Sequence, residues 1–446
     1  MQIQDATTST LALYGGTPSV QQTPKAIFQW PIITEEDEKA ALDVIRRGAM
    51  SGTDVTERYE AEFAAWQGCR FALAFHNGTA ALHAAMFACG VGRGDEVICP
   101  TITYWASALP AFSLGATLVF ADIDPLSLCI TPEEIERRIT PRTKAIVVVH
   151  YLGHPAPMDA IVPLARKHGI KVIEDFSHAQ GGHYKGQKVG TLGDVGATSL
   201  MSRKSLVAGE GGMLVCNDRE LCDRAIAFGH HNRFTRDLSV ATLREFAGLP
   251  LGGIKGRMHQ VSAAVGRVQL RDYDERCRTI RQAMRFFWDC LDGAPGLRPH
   301  QVDESEGSNM AGHYGARAHY VPGELAGLSV TAFCRALRAE GVAAHPGCNK
   351  PLHLHPVFRT ADLYHDGRPT RLAQATRNVL QEEGRLPVSE GIAERLLSLP
   401  WFVRYDEAVI TRYAGAFLKV IRNHRDLLAD DPGNPPSMGS WGLSSL

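Results

Sequence analysis

Residues 171–212 read KVIEDFSHAQGGHYKGQKVGTLGDVGATSLMSRKSLVAGEGG. An apolar strand pattern ends at Asp175, and a second one, Ala197–Leu200, leads to Lys204. Small residues follow in Gly209–Gly212, and they permit a tight path of the main chain beside a ligand. Because α/β sheets bind ligands at the carboxyl ends of their strands, we expect the acid and the lysine at one site.

This pairing of a carboxylate and a lysine is what a pyridoxal phosphate (PLP) site requires. Lys204 would hold the cofactor as a Schiff base, and Asp175 would keep its ring nitrogen protonated so that the ring withdraws electrons. The lysine must be neutral to attack an aldehyde, so burial or a nearby cation such as Arg203 has to lower its pKa. The alternative for Asp175 is a helix cap or an ion pair with a structural arginine.

A candidate phosphate site lies in Phe75–His83, where a strand pattern passes through Gly78 into a helix. The glycine permits close approach of the backbone, and the free amides of the first helical turn favour an anion. Thr79 and Ser199 are candidate hydroxyl donors to the same phosphate. The alternative is an ordinary strand–helix turn that Thr79 caps.

Two further residues follow predicted strands and could contact the cofactor ring. Tyr104 could stack on the ring face, although core packing is the alternative for this aromatic side chain. His178 follows Asp175 by three residues and could reach the phenolic oxygen or the imine edge. The alternative for His178 is a hydrogen-bonded polar residue without a catalytic role.

The bulk composition is that of a soluble globular protein. The 446 residues carry a net charge of −1, which implies no general attraction to nucleic acid or to an anionic membrane. We find neither a signal peptide nor an apolar run long enough to span a membrane. The ten cysteines are scattered and form no C-x-x-C pair, so we expect reduced thiols in a cytoplasmic protein and no metal site.

Strand and helix patterns alternate between residues 71 and 216. Such alternation predicts an α/β fold with a mostly parallel sheet between helices. The apolar runs are Phe71–Phe75, Glu96–Cys99, Thr117–Phe120, Ala145–Val149, Val172–Glu174, Ala197–Leu200 and Met213–Cys216.

Changes in composition divide the chain into four parts. A long helix is predicted over Gln260–Leu291, where it would bridge two lobes. The predicted parts are an N-terminal arm (1–32), a large PLP-binding α/β domain (33–292), a smaller C-terminal α+β domain (293–429) and a disordered tail (430–446).

Taken together, these segments resemble the DegT/DnrJ/EryC type of sugar aminotransferase, a family within fold type I of the PLP enzymes. The resemblance extends from Gly15 to about Arg425. The matching segments are 77–82 (NGTAAL), 94–98 (GDEVI), 149–154 (VHYLGH), 173–175 (IED), 199–204 (SLMSRK), 209–212 (GEGG), 257–258 (RM) and 396–400 (LLSLP).

The resemblance implies a PLP-dependent aminotransferase that acts as a homodimer, each active site being completed by the other subunit. The catalytic residues would be Lys204, Asp175 and His178. The cofactor would be bound by Gly78, Thr79, Tyr104, Asp175, His178, Ser199, Lys204 and Lys255.

The chain departs from the family pattern in two places. Many members carry an asparagine two residues before the Arg257 position, where it reaches the phosphate across the dimer interface. Here that position is Lys255, and a lysine would bind phosphate as a point charge. An insertion at Leu363–Glu383 is also unusual, and we expect it to shape the substrate pocket.

The family implies a small-molecule amino donor, glutamate or glutamine, and a keto acceptor. The acceptor would be a nucleotide-linked keto-sugar or a keto-cyclitol, used in antibiotic or polysaccharide assembly. Donor and acceptor would react by ping-pong kinetics, through PLP and its pyridoxamine form (PMP). One alternative is the PMP-dependent sugar dehydratase branch, which carries histidine in place of the Schiff-base lysine. A second is a non-catalytic regulatory protein with the same fold.

Overall fold

The computed structural model describes residues 9–230, 233 and 238–442. Residues 1–8 of the predicted arm and 443–446 of the predicted tail lie outside this description. Twelve strands occur in the described residues. They are β1 (Phe71–Phe75), β2 (Glu96–Pro100), β3 (Thr117–Ala121), β4 (Thr143–Val149), β5 (Lys171–Asp175), β6 (His183–Tyr184), β7 (Gln187–Lys188), β8 (Val195–Ser199), β9 (Gly212–Cys216), β10 (Leu297–Pro299), β11 (Arg317–Tyr320) and β12 (Leu396–Ser398).

Seven of these strands form the main sheet, in the order β1-β9-β8-β5-β4-β2-β3. Only β9 runs antiparallel to its two neighbours, and the other pairings, from β8 to β3, are parallel. Each of the seven apolar runs in the sequence forms one strand of this sheet. The predicted α/β fold with a mostly parallel sheet is therefore confirmed.

Helices cover both faces of the main sheet. The α-helices are α1 (Glu35–Arg46), α2 (Asp54–Gln67), α3 (Gly78–Ala88), α4 (Pro110–Ser113), α5 (Pro132–Glu136), α6 (Met158–Lys167), α7 (Arg219–Gly229), α8 (Ala241–Arg244), α9 (Gln260–Arg271), α10 (Tyr273–Cys290), α11 (Val330–Ala339), α12 (Pro356–Arg359), α13 (Thr370–Ala373), α14 (Pro387–Gly391) and α15 (Glu407–Arg422). Short 3-10 helices span Ala12–Tyr14, Lys25–Ile27, Trp105–Ser107, Tyr151–Gly153, Pro322–Leu325, Leu352–Leu354, Ile392–Arg395 and His424–Asp430.

Strand β1 shows how the two faces are divided. Leu73 and Phe75 belong to the core formed with α3 and α7, whereas Ala72 and Ala74 belong to the core formed with α2 and α9. Alternate residues of a strand point to opposite faces, so a strand buried on both sides is apolar throughout. This double burial explains the continuous apolar runs in the sequence.

A separate apolar core lies around the three-stranded antiparallel sheet β10-β11-β12 and helices α10, α11 and α15. Leu11, Val20 and Ile27 of the N-terminal arm are buried in it. Leu352 and Phe358 belong instead to the core of the main sheet, although they fall within the predicted C-terminal domain. The apolar cores thus cross the predicted boundaries, and the division into domains stays a prediction.

The predicted long helix over Gln260–Leu291 is interrupted. Helix α9 ends at Arg271, and α10 begins at Tyr273 after Asp272. Asp272 has φ −97° and ψ −1°, and it forms both the C-cap of α9 and the N-cap of α10.

The insertion at 363–383 lies along the outer edge of the main sheet. The buried Arg371 donates to the Leu118 carbonyl oxygen at 2.9 Å, and Gln381 donates to the Phe120 carbonyl oxygen at 2.8 Å. These bonds satisfy main-chain carbonyl groups on the open edge of β3, which would otherwise be available to pair with another strand. None of the residues of this insertion lines the cavity described below, and its expected role in shaping the substrate pocket stays a prediction.

The described part of the predicted disordered tail is attached to the rest of the protein. Asp431 accepts a hydrogen bond from the Ser329 amide at 2.7 Å, and Asn434 accepts one from the Thr331 hydroxyl at 2.9 Å. Both acceptors lie at the start of α11, where the first amides have no intrahelical partner. The polar residues of this stretch thus provide hydrogen-bond acceptors at the start of α11, which Ser329 itself caps.

Among the described residues, no helix is long and apolar enough to cross a membrane. All ten cysteines are free thiols, and no cluster in this part of the chain has the composition of a metal site.

Candidate active site

The carboxyl ends of the central strands border a cavity of about 490 Å³. This volume is in the range of small-molecule sites in proteins. The residues that line it are Asn77, Gly78, Thr79, Leu82, Thr103, Tyr104, Trp105, Ala106, Val149, Asp175, Ser177, His178, Ser199, Met201, Arg203, Lys204 and Glu210. Seven of the eight predicted cofactor-binding residues are thus brought together.

Asp175 ends strand β5 and is only 5% exposed. Its Oδ2 accepts a hydrogen bond from the Ser107 hydroxyl at 2.7 Å, and its Oδ1 accepts one from the Ser177 amide at 3.1 Å. Among the described residues no arginine or lysine pairs with this carboxylate within 4.0 Å, so the alternative of a structural ion pair does not apply. A buried carboxylate with neutral donors alone is suited to a cationic ligand group.

Lys204 is 5% exposed and faces the same cavity. Its Nζ lies 3.4 Å from the Tyr314 hydroxyl and 4.5 Å from the centroid of that ring. Burial lowers the pKa of the Lys204 amine to about 8, and the charge of Asp175 opposes the shift. The lowered pKa makes the neutral, nucleophilic amine accessible near pH 7.

Hydrogen bonds fix the main chain of Lys204. Its amide donates to the Met201 carbonyl oxygen at 2.8 Å, and its own carbonyl oxygen accepts from the Trp30 indole at 2.8 Å. Trp30 also packs on Trp401, with 4.9 Å between the ring centroids. The N-terminal segment therefore helps to position the lysine.

The turn between β1 and α3 lies against the end of β8. A Cβ atom on Gly78 would come within 2.7 Å of the Ser199 Cβ, so only glycine permits this approach. The Asn77 side chain accepts from the Ala80 amide at 2.8 Å, which caps α3 and replaces Thr79 in that role. The first amides of α3 have no intrahelical acceptor, and together with the Thr79 and Ser199 hydroxyls they form a cradle suited to a phosphate group.

His178 is held as a neutral imidazole. Burial, together with the charges of Lys204 and Arg317, holds its pKa well below the ordinary value. Its Nδ1 accepts from the Leu152 amide at 3.3 Å, which leaves the proton on Nε2. The ring stacks on Tyr314 at 4.5 Å between centroids. His178 can therefore donate a hydrogen bond but does not store a proton.

Tyr104 lines the cavity next to Trp105, with ring centroids 5.0 Å apart. This position is compatible with stacking on a ligand ring, and its role stays a prediction. Lys255, in contrast, is exposed and does not line the cavity of its own chain. Its predicted contact with a phosphate requires a second subunit.

Several residues around the cavity were missed by the sequence analysis. Ser107 was detectable, because it follows Tyr104 in the same turn and carries a hydroxyl. Tyr314 and Arg317 gave no signal, since they come from a distant segment without a motif. Trp30 was assigned only to an arm, although it contacts the Lys204 main chain.

The residues present fit pyridoxal phosphate. The glycine-dependent cradle suits its phosphate, the carboxylate of Asp175 suits a protonated ring nitrogen, and the Lys204 amine suits its aldehyde. A different ligand would have to match all three groups across one cavity. Which residue makes each contact with the cofactor stays a prediction.

Comparisons with known proteins agree with this reading of the cavity. The model of the DegT/DnrJ/EryC1/StrS aminotransferase family matches residues 31–417. The L-glutamine:2-deoxy-scyllo-inosose aminotransferase of Streptoalloteichus tenebrarius is 33% identical, over 94% of this chain and 99% of that protein. GDP-perosamine synthase of Caulobacter vibrioides is 36% identical, over 67% of this chain and 77% of that protein. The structure of DesI in the presence of its TDP-sugar product has a TM-score of 0.76 and 28% identity, covering 94% of this chain and 98% of DesI.

Proposed function

The chain belongs to the DegT/DnrJ/EryC1/StrS aminotransferase family and is a PLP-dependent aminotransferase, and we propose that it transfers the amino group of L-glutamine to a keto-cyclitol. The observation that carries amino transfer is the buried Lys204 amine, which shares one cavity with Asp175 and the Gly78–Ser199 cradle. The choice of substrates is supported by the relatives. Those named for glutamine and 2-deoxy-scyllo-inosose match almost the whole chain, whereas GDP-perosamine synthase matches about two thirds of it.

When bound, PLP supplies an aldehyde that accepts an amino group and a ring that withdraws electrons. The first amides of α3 and the Thr79 and Ser199 hydroxyls would hold the phosphate. The Asp175 carboxylate, which accepts the Ser107 hydroxyl, would face the ring nitrogen. His178 would donate from Nε2 toward the phenolic oxygen.

Lys204 acts as the general base and acid of the proposed mechanism. In its neutral form, Nζ removes the proton from the α-carbon of the donor. In the second half of the reaction, which runs in the opposite direction, the protonated Nζ delivers a proton to the carbon of the acceptor that receives the amino group. Tyr314, 3.4 Å from Nζ, positions the amine between these two roles. Donor and acceptor use the same lysine and hence occupy the cavity in turn, which predicts ping-pong kinetics.

The test of this function follows nitrogen from donor to acceptor. Holoenzyme is incubated with [2-¹⁵N]glutamine and 2-deoxy-scyllo-inosose, and the products are analysed by mass spectrometry. We expect a ¹⁵N-labelled aminocyclitol and a family of parallel lines in double-reciprocal plots. Labelling of a nucleotide-linked keto-sugar in place of the cyclitol would overturn the acceptor, and transfer from [¹⁵N]glutamate alone would overturn the donor.

We also propose a homodimer in which Lys255 of the partner subunit contacts the phosphate. Lys255 lies in a loop beside the β1–α3 turn, because the His76 amide donates to the Gly256 carbonyl oxygen at 2.8 Å. Its side chain is exposed and does not line the cavity of its own chain.

Subunit mixing tests this arrangement. Lys204→Ala and Lys255→Ala chains, each impaired alone, are mixed after mild dissociation. If sites are shared, half of the dimers are mixed and one of their two sites is intact, so about a quarter of the wild-type activity is expected. A monomeric mass in sedimentation, or no recovery in dimers shown to exchange subunits, would contradict the proposal.

A further inference from the structure

A second, smaller cavity of about 30 Å³ adjoins the main cavity and contains a buried guanidinium. We propose that Arg317, at the start of β11, binds the α-carboxylate of the amino donor. This inference rests on the proposed function, because it takes an amino acid as the donor.

Arg317 is 7% exposed and has few partners. Its Nη1 donates to the carbonyl oxygens of Gly315 at 3.1 Å and Ala316 at 3.2 Å. Its Nε is buried and has no acceptor in the described part of the chain. No described carboxylate lies within 4.0 Å of the guanidinium. Because an uncompensated buried charge is unfavourable, this arrangement is suited to an anion that arrives with a ligand.

The position of Arg317 relates it to the reacting groups. Tyr104 and His178 line both the small cavity and the main one, so the two spaces adjoin. Tyr314 lines the small cavity and lies 3.4 Å from Lys204 Nζ. In an α-amino acid, the carboxylate and the amino group are attached to the same carbon. A carboxylate at Arg317 would therefore keep the α-carbon near Lys204.

The size and polarity of the small cavity favour a carboxylate. About 30 Å³ accommodates a group comparable to one or two water molecules. Asn349 also lines it and accepts the Tyr151 hydroxyl through Oδ1 at 2.6 Å, which leaves its amide nitrogen as a further donor. A neutral acceptor such as a cyclitol offers hydroxyls but no charge for Arg317. The residue should consequently select the donor much more strongly than the acceptor.

A ligand that binds but cannot react tests the contact between Arg317 and a carboxylate separately from catalysis. The probe is 5-amino-5-oxopentanoate, which is glutamine without its amino group, titrated into holoenzyme by calorimetry. Pentanediamide, in which an amide replaces the carboxylate, is the matched neutral probe. Arg317→Met is expected to raise the Kd of the carboxylate probe about 10- to 100-fold and to leave that of the diamide unchanged. Arg317→Lys, which keeps the charge but loses the planar fork, is expected to give an intermediate Kd.

Arg224→Met provides the control variant. Arg224 also donates to two main-chain carbonyl oxygens, those of Phe87 and Ala88, but it lines neither cavity. Its substitution should leave both dissociation constants unchanged.

The outcomes separate this inference from the proposed function. If Arg317→Met left the Kd of the carboxylate probe unchanged, or raised the Kd of both probes equally, the carboxylate site would be overturned even if the wild-type enzyme uses glutamine. Conversely, a wild-type enzyme that binds the carboxylate probe through Arg317 but takes nitrogen from neither glutamine nor glutamate would overturn the proposed donor and leave the site standing.

Discussion

Lys204→Ala is expected to lower the rate of amino transfer by about 10⁴-fold, the upper range for loss of a general acid–base residue. Among the residues that line the cavity, only Lys204 carries an amine. No other lining group can both attach to an aldehyde and carry a proton between two carbon atoms. The rate is measured as a single turnover with [2-¹⁵N]glutamine. Borohydride reduction followed by peptide mass spectrometry should find the cofactor mass on Lys204 of the wild type and none on the variant.

The pH dependence of cofactor attachment provides a second readout for Lys204. Because its pKa is lowered to about 8, about one tenth of the amine is neutral at pH 7, compared with about 0.03% at an ordinary lysine pKa near 10.5. The neutral form attacks, so the rate at which cofactor-free protein takes up PLP should rise with pH through about 8 and level off above it. A midpoint above pH 10 would contradict the buried position of the amine.

Lys39→Ala is the control, since Lys39 forms only an exposed ion pair with Glu35. It should retain wild-type turnover and cofactor content. Cofactor that remains covalently fixed to the Lys204→Ala chain after reduction would show that another residue holds it.

The main sheet and the close approach of Gly78 to Ser199 could be predicted because their signals are local. A strand buried on both faces is a short apolar run, and each such run between residues 71 and 216 forms a strand. Gly78 stood out at a strand–helix junction, where contact with the Ser199 Cβ excludes any side chain. The alternation of β and α elements then determines that Asp175 and Lys204 meet at one edge of the sheet.

The part of the site that Tyr314 and Arg317 form could not be predicted, since it depends on tertiary packing. Tyr314 is 110 residues from Lys204, and nothing in its own segment indicates a ligand site. Arg317 lies in a short strand, where one arginine among small residues resembles an ordinary surface position. Only the fold reveals that its guanidinium is buried without a carboxylate partner in the described residues.

Two polar segments, 363–383 and 430–442, show that composition alone does not predict how a segment is attached to the fold. The insertion at 363–383 is polar, yet Arg371 is fully buried because it donates to main-chain carbonyl oxygens of β3 and of its own segment. The stretch from 430 to 442 has little apolar content, but its Asp431 and Asn434 accept hydrogen bonds at the start of α11. In both cases hydrogen bonds to main-chain groups provide the attachment that hydrophobic periodicity does not report.

Asp175→Asn is expected to lower the rate of amino transfer by about 10²- to 10⁴-fold while the protein still folds and attaches its cofactor. The substitution keeps the shape of the side chain and removes its charge. Loss of one member of a buried ion pair costs about 3–5 kcal/mol, which corresponds to that range of rates. Single-turnover measurements give the rate, and thermal unfolding midpoints report the fold.

Ser107→Ala is the matched comparison for Asp175→Asn. It removes the 2.7 Å hydrogen bond to Oδ2 but leaves the carboxylate charged. A hydrogen bond to a charged group contributes about 1.5–3 kcal/mol, so a smaller loss of about 10- to 100-fold is expected. If both variants lost the same factor in rate, the position of the Asp175 side chain would matter for amino transfer and its charge would not.

The pH dependence of Asp175→Asn distinguishes an electrostatic role from a structural one. The carboxylate raises the pKa of a ring nitrogen bound beside it, so the wild type keeps that nitrogen protonated over a wide pH range. Without the carboxylate, protonation of the ring nitrogen depends on the pH of the solution. The ratio of the wild-type rate to the variant rate should therefore decrease toward one as the pH falls. A purely structural role would lower the unfolding midpoint and give a ratio that does not vary with pH. In that case the buried charge at the end of β5 would serve the Ser107 and Ser177 hydrogen bonds alone, and the assignment of Asp175 to the ring nitrogen would fail.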